Sequence, residues 1–462
     1  MLRLFTDSPR VAVMKGPHDY REPTEIHPLV ERALEALDVS QQIIRPGDRV
    51  VIKPNWIKEH DERFVGPGHW EHVVTHPMVI EGVVFWAAKR LAGEGSITIC
   101  DAPQTDSSFA TLRQYCSLDQ VVDRCAAAFP NLRFSILDLR PEEWHTVDGV
   151  TVRKTSLPGD PYGLTHVHLD SASEFVGFSG LGRLYGASWD LAETNGRHDG
   201  TRHEYLLSRT PMDADVFINL PKLKTHKKVG ITCALKNLVG INANKNWLPH
   251  HTEGTPAEGG DQFPESTFKA RLEHNLMGAF KRRLNKKLVV SRGFVPVKKL
   301  ARLYFGDTQR VVRSGNWSGN DTCWRMVLDL NKCLFYFDGA ATPRRTPLRY
   351  LAVVDGIIAG EGNGPMAPDP MACGILIAGS HPVAVDCVCA RLMGFDWRKI
   401  RLLENSFKMQ QLSFVPFNPK DIEVVSNQPA WRGGVDQIND TFSFRPHFGW
   451  IGAIETNKPC VA

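Results

Sequence analysis

The stretch INLPKLKTHKKVGITCALKNLVGINANKNWLPHH, residues 218–251, gathers side chains suited to chemistry on an anion. Its opening, ADVFINLPK at 214–222, reads as a buried strand that delivers Lys222, Lys224 and His226 at its carboxyl end. Parallel α/β sheets bind ligands at that end. Ten residues after His226, Lys236 and Asn237 sit in the otherwise apolar GITCALKNLVG. A lysine in such a setting must pair with an anion, give up its proton or reach out to solvent. Lysines beside a strand are often merely solvated. Here the apolar neighbours favour a functional centre running from Lys222 to Asp261 and a small anionic ligand. The chemistry expected is acid/base: His226 moves a proton, Lys236 polarises or attacks a carbonyl, and Lys222, Lys224 and Lys53 bind the anion.

Further groups extend this reading. Trp247-Leu-Pro is followed by His250 and His251 and then by Gly259, Gly260 and Asp261, a loop suited to metal binding or proton transfer. Adjacent residues on an extended chain point to opposite sides, so one of the two histidines is expected to reach the site. In VVDGIIAGEGNGP a strand ends at Asp355 and runs into a glycine loop with Glu361, Gly362 and Gly364. Glycines let backbone amides approach an anion, and the carboxylates suit a divalent cation. Asp386, in SHPVAVD, completes a metal set with Asp355 and Glu361, or only complements a helix dipole. Lys53 and Asn55 in VIKPN, Thr75 and His76 in THP, and Asp101 at the end of SITICD occupy strand ends or a helix start. Together these residues predict one composite cleft.

The elements that must position them alternate. RVAVMKG (10–16) and DRVVIK (48–53) read as strands around a helix at 25–37, and a helix opened by Pro77 leads to the strand SITICDA. A helix over 108–128, a strand at 132–139, strands at 350–355 and 374–379 and a helix from Pro382 to Met393 continue the pattern. The fold class expected is α/β, a doubly wound, mostly parallel sheet with an inserted irregular or helical lobe. Three segments follow: an α/β half at 1–155, a strand-plus-loop region with a basic insertion at 156–345, and a second α/β half at 346–462. Between 155 and 205 an irregular excursion is expected.

Composition narrows the function classes. With 462 residues, 42% hydrophobic, 23% charged and a formal charge of +4, the chain reads as globular, and nucleic acid is not expected as a partner. The charged N-terminus and the lack of a long apolar run predict a cytoplasmic protein with no transmembrane segment. Ten scattered cysteines without a CxxC read as reduced structural thiols, so no iron–sulfur cluster is expected; a divalent metal remains the one cofactor the carboxylates suggest. Nine basic and no acidic residues between Lys281 and Arg302 suit a solvated face, with peripheral contact to an anionic membrane as the alternative.

VIKPN, THP with ICDAP, NLPKLKTH with ALKNLVG, and DGIIAGEGNGP with HPVAVD resemble the family called domain of unknown function 362, over nearly the whole chain. LPHH and GGDQFP are similar to elements of its longer members. Many relatives carry an appended ferredoxin-like cysteine run, absent from this sequence. More distantly, the order of strand, His226, apolar stretch and Lys236 resembles the nickel-pincer lactate racemases, without the glycine pair that precedes the lysine there. That likeness implies a racemase- or epimerase-like reaction as one alternative; a non-catalytic carrier of an anionic metabolite is another.

Overall fold

Short β-branched runs become strands and the amphipathic stretches between them become helices. The computed structural model describes residues 8–37, 43–147, 150–188, 190–266 and 311–456. Its first third runs β1 (Arg10–Lys15), α1 (Pro23–Glu35), β2 (Arg49–Pro54), α2 (Pro77–Leu91), β3 (Ser96–Asp101), α3 (Phe109–Tyr115), α4 (Leu118–Ala128) and β4 (Arg133–Asp138). The middle comprises β5 (Glu142–Val147), β6 (Val150–Ser156), β7 (Leu164–His168), β8 (Leu184–Gly186), α5 (Leu191–Arg197), β9 (Glu204–Ser208), α6 (Arg209–Met212), β10 (Val216–Leu220), β11 (Lys222–His226), β12 (Gly230–Thr232), α7 (Ala234–Asn237) and β13 (Pro249–Thr252). Then come α8 (Cys323–Tyr336), β14 (Arg349–Asn363), β15 (Ala367–Gly379), α9 (Pro382–Leu392), α10 (Arg401–Ser406), β16 (Glu423–Ser426) and β17 (Gly433–Gly434).

The central sheet has the order β17-β16-β1-β15-β14-β10-β2-β3-β4. Strands β14, β10, β2, β3 and β4 are parallel, and so are β1 and β16, while β15 is antiparallel to both of its neighbours. Side chains alternate between two cores. Val50, Ile52, Val216 and Ile218 face α1, α2 and α4, whereas Val51, Phe217 and Tyr350 face α7, α8 and α9. Helices on both faces of a mostly parallel sheet make this a doubly wound α/β fold. The sheet takes strands from all three segments of the chain.

Several elements differ from the sequence reading. The single helix expected over 108–128 is broken by Ser117, whose left-handed φ of 49° separates α3 from α4. The strand expected at 214–222 is interrupted at Pro221, which has no N–H for the ladder, and β11 continues on its own. Strands β14 and β15 form one long hairpin, paired from Ala352↔Gly379 to Asn363↔Ala367. The glycine loop expected after Asp355 is therefore largely strand. The excursion at 155–205 contributes to two small ribbons, β7–β9 and β8–β13. The basic stretch 281–302 lies outside the described residues. Among the described residues no helix is long and apolar enough to cross a membrane.

Candidate functional site

Lys222, Lys224 and His226 occupy alternate positions of β11, but their side chains meet very different partners. Lys222 Nζ donates to Asp355 Oδ2 at 2.8 Å and to the Tyr20 hydroxyl at 2.7 Å. Tyr20 in turn donates to Asp355 Oδ1 at 2.6 Å, and the His76 backbone N–H donates to Oδ2 at 2.9 Å. Both Asp355 oxygens are thus committed. Burial pushes the Lys222 ammonium down in pKa, opposed by Asp355, and pushes the Tyr20 hydroxyl well up, reinforced by Asp355. The His76 ring stacks on Tyr20 at 3.7 Å, and its Nδ1 accepts the Met78 N–H to cap α2.

A second closed group lies at the ends of β2 and β3. Lys53 Nζ sits 2.8 Å from Asp101 Oδ1, while the Trp56 N–H donates to Oδ2 at 2.8 Å. The Asn237 Oδ1 accepts from Asn55 Nδ2 at 2.8 Å and from Lys53 Nζ at 3.3 Å, and its Nδ2 donates to Asn219 Oδ1 at 2.7 Å. Thr75 Oγ1 accepts the Asn55 N–H and donates to the Leu220 carbonyl, joining the two groups across β2 and β10. Gly240 crosses directly over the ion pair: a Cβ there would collide with Asp101 and the Lys53 ammonium, so glycine is needed for this approach. Lys53, Asn55, Thr75, His76, Asp101, Lys222, Asn237 and Asp355 do converge on the strand ends, but their mutual bonds leave Lys53 and Lys222 already neutralised by carboxylates.

Lys236 stands in contrast. It lies on α7, which is pinned from several sides: Asp386 accepts the Ala234 and Leu235 N–H groups at 2.7 and 3.0 Å, Asn219 donates to the Ala234 carbonyl, and Asn331 donates to that of Leu235. Lys236 is a buried residue, 7% exposed, and its ammonium has no hydrogen-bond or ion-pair partner among the described residues. Burial lowers its pKa, and the charges of Lys227 and Lys53 add to the effect against the Cys323 thiol. Burial, followed by Lys236, Lys227, His250 and Lys228, holds the His226 imidazole well below its ordinary range. Burial, then Lys236 and Lys228, does the same to His250. Lys228 and Lys245 are each brought down by burial to about 7, and their described hydrogen-bond acceptors are backbone carbonyls. Lys224, fully buried, also donates only to a carbonyl, that of Val73, and burial drives it well down.

The two imidazoles carry opposite tautomers, as their neighbours dictate. His226 Nδ1 accepts the Lys228 N–H at 3.0 Å, so its proton sits on Nε2. His250 Nδ1 faces the Leu248 carbonyl at 2.8 Å and must carry the proton, leaving Nε2 as an acceptor. Neither Nε2 has a described partner. One neutral histidine can give a hydrogen bond and the other can take a proton, beside an uncompensated lysine.

The expected metal set does not assemble. Asp355 is held as above, Glu361 accepts from the Arg445 Nε at 2.9 Å and its backbone N–H at 2.8 Å, and Asp386, raised to about 7 by burial, spends both oxygens on α7. Gly362 and Gly364 pack against β11, where Thr225 Oγ1 donates to the Gly362 carbonyl at 2.8 Å, instead of cradling an anion. His251 turns away from His250 and stacks on Tyr185 at 4.7 Å. Asp261 accepts the Thr252, Asp321 and Thr322 N–H groups and the Thr322 hydroxyl; a cleft of about 460 Å³ opens beside it, lined by Phe178, Pro256, Trp317 and Arg401 and by none of these lysines. Sequence reasoning missed Tyr20, Asn219, Lys227, Lys228 and Lys245. The run of lysines in KTHKK was a usable signal for two of them; nothing near Tyr20 marks it.

Residues 177–391 match the model of the family described as Domain of unknown function (DUF362). The curated protein Thylakoid-associated protein sll1697 of Synechocystis sp. is 26% identical over 190 residues, 41% of this chain and 36% of its own length. The chain thus matches little more than a third of that relative. Among solved structures, the lactate racemase apoprotein from Thermoanaerobacterium thermosaccharolyticum aligns with 85% of this chain and 58% of its own at 11% identity, with a TM-score of 0.33.

Proposed function

We propose that this chain is an enzyme that performs acid/base chemistry on a small carboxylated or phosphorylated substrate, bound where the Lys236 ammonium has no carboxylate partner among the described residues. The observation that carries this reading is the unpartnered ammonium of the buried residue Lys236 among other cationic groups. An unpaired charge in such a place is costly, and a substrate anion relieves that cost. With the anion seated, His226 donates a hydrogen bond from Nε2 to a carbonyl or hydroxyl of the substrate, and His250 Nε2 takes the proton. The neutral His250, with Nε2 free to accept, suits removal of a proton, and the imidazolium formed by that step is the acid that returns it to the carbon, while His226 only donates a hydrogen bond; this balances as a one-base racemase- or epimerase-like exchange.

The test is twofold. Inorganic phosphate and malonate should raise the thermal midpoint of the wild type and lose most of that effect in Lys236→Met. In heavy water, a panel of 2-hydroxy carboxylates and their phosphorylated counterparts should show enzyme-dependent exchange of the α-hydrogen with at least one member, reduced about 100-fold or more in His250→Gln. Anion binding without exchange on any member would favour a carrier. Failure of either anion to bind would overturn the reading.

A further inference from the structure

We propose that His166, His168 and Glu204 form a binding site for one divalent transition-metal ion of the zinc class, on the β7–β9 ribbon. The placement follows from strand geometry. His166 and His168 are two residues apart on β7 and therefore share a face. The antiparallel register sets Glu204 of β9 directly opposite His168, which brings its carboxylate to the same face. His166 Nε2 lies 3.1 Å from Glu204 Oε2, and His168 Nδ1 lies 3.2 Å from Oε1. One ligand atom from each of the three residues lies within 4.8 Å of the other two. Two ligands bound at about 2.0–2.2 Å to a tetrahedral zinc are themselves about 3.3 Å apart, so the three donors need little movement to close on an ion.

The donor set and its surroundings agree with that class of metal. Two imidazole nitrogens and one carboxylate oxygen suit zinc, cobalt or iron better than the all-oxygen ligand shells of magnesium or calcium. The histidine side chains are 38% and 48% exposed while that of Glu204 is 3% exposed, so an ion would be anchored from the protein side and keep open positions toward solvent. Arg197 Nη1 holds Glu204 Oε2 at 3.0 Å, and the guanidinium carbon Cζ lies over the Trp247 ring, 4.2 Å from its centroid, which fixes the carboxylate and leaves Oε1 available. As mere surface ion pairs, these half-exposed histidine–glutamate contacts would add little stability. The site shares no residue with the anion-binding group and stands independently of it.

Titration of the metal-stripped full chain with cobalt(II), followed by visible absorption, and with zinc(II), followed by calorimetry, tests the proposal. One ion per chain should bind at pH 7.5. Glu204→Gln and His168→Ala should each weaken binding by about 100-fold, and the His166→Ala/His168→Ala double variant should lose it while phosphate binding and the unfolding midpoint persist. His168→Asn, which keeps a polar side chain at a half-exposed position, serves as the control if the double variant unfolds and should show the same weakening. Absence of a one-to-one cobalt complex in the wild type, or unchanged affinity in these variants, would overturn the site.

Discussion

Lys53 and Lys236 both lie close to Asn237 and both are buried, yet one is matched to a carboxylate and the other to nothing. On the sheet side, Lys53–Asp101 and Lys222–Asp355 are closed ion pairs with every oxygen of Asp355 and Asp101 hydrogen-bonded. On the α7 side, Lys227, Lys228, Lys236 and Lys245 have no carboxylate within ion-pair distance among the described residues. Burial of a lysine is therefore a poor marker of function by itself. The missing counter-charge distinguishes a group that holds the fold together from one that awaits a ligand.

The largest expected effect lies on the paired side. Asp355→Ala leaves the Lys222 ammonium buried without its carboxylate and also strips an acceptor from Tyr20 and from the His76 N–H. Urea unfolding should show a loss of about 3–5 kcal/mol. The Lys222→Met/Asp355→Leu double variant, which removes both charges, should recover much of it. A loss below about 1 kcal/mol for Asp355→Ala would erase the distinction between the two regions.

The next effect concerns pH and belongs to the unpaired side. Lys228 and Lys245 are near 7 in the folded protein and return to 10.5 on unfolding. Between those values the unfolded chain holds more protons than the folded one, so stability rises with pH. The buried thiols act the other way: Cys116, raised by burial from 9.0 to about 12, keeps its proton longer in the folded state and weakens the trend above pH 9. In anion-free buffer, urea midpoints should therefore climb from pH 7 to about 8.5, and Lys245→Met should flatten the climb. Saturating phosphate should flatten it as well, because a bound anion favours the ammonium form. A flat or falling profile in the wild type would mean that these lysines are already compensated.

Much of the sheet was readable because its strands are short β-branched runs separated by helical periods, as in RVVIKP before the helix at Pro77. The β14–β15 hairpin was not, because GEGN and APDP carry the residues of a loop while pairing across the hairpin keeps them extended. In the site, the alternation of Lys222, Lys224 and His226 and the apolar setting of Lys236 were visible locally. The partners were not. Lys222 and Asp355 are 133 residues apart, and Tyr20, which completes their triangle, is 202 residues from Lys222. Periodicity and spacing report what one segment presents, whereas neutralisation of a buried charge is decided by long-range packing. The same limit hid the β7–β9 group: THVH shows two histidines on one face, but only strand pairing supplies Glu204.

The smallest expected effect sharpens the comparison most. Lys236→Met replaces an unpartnered buried ammonium with an apolar side chain of similar length, removing a desolvation cost without breaking any described bond. In anion-free buffer at pH 7.5 its stability should equal the wild type or exceed it by about 1 kcal/mol, whereas Lys53→Met, which strands Asp101, should be destabilised by about 3 kcal/mol. A residue whose removal leaves the empty protein as stable or more so, yet abolishes the response to phosphate, is retained for its ligand. If Lys236→Met is instead destabilised as strongly as Lys53→Met, then Lys236 also serves the fold, and the anion site must be sought around Lys227 and Lys228 alone.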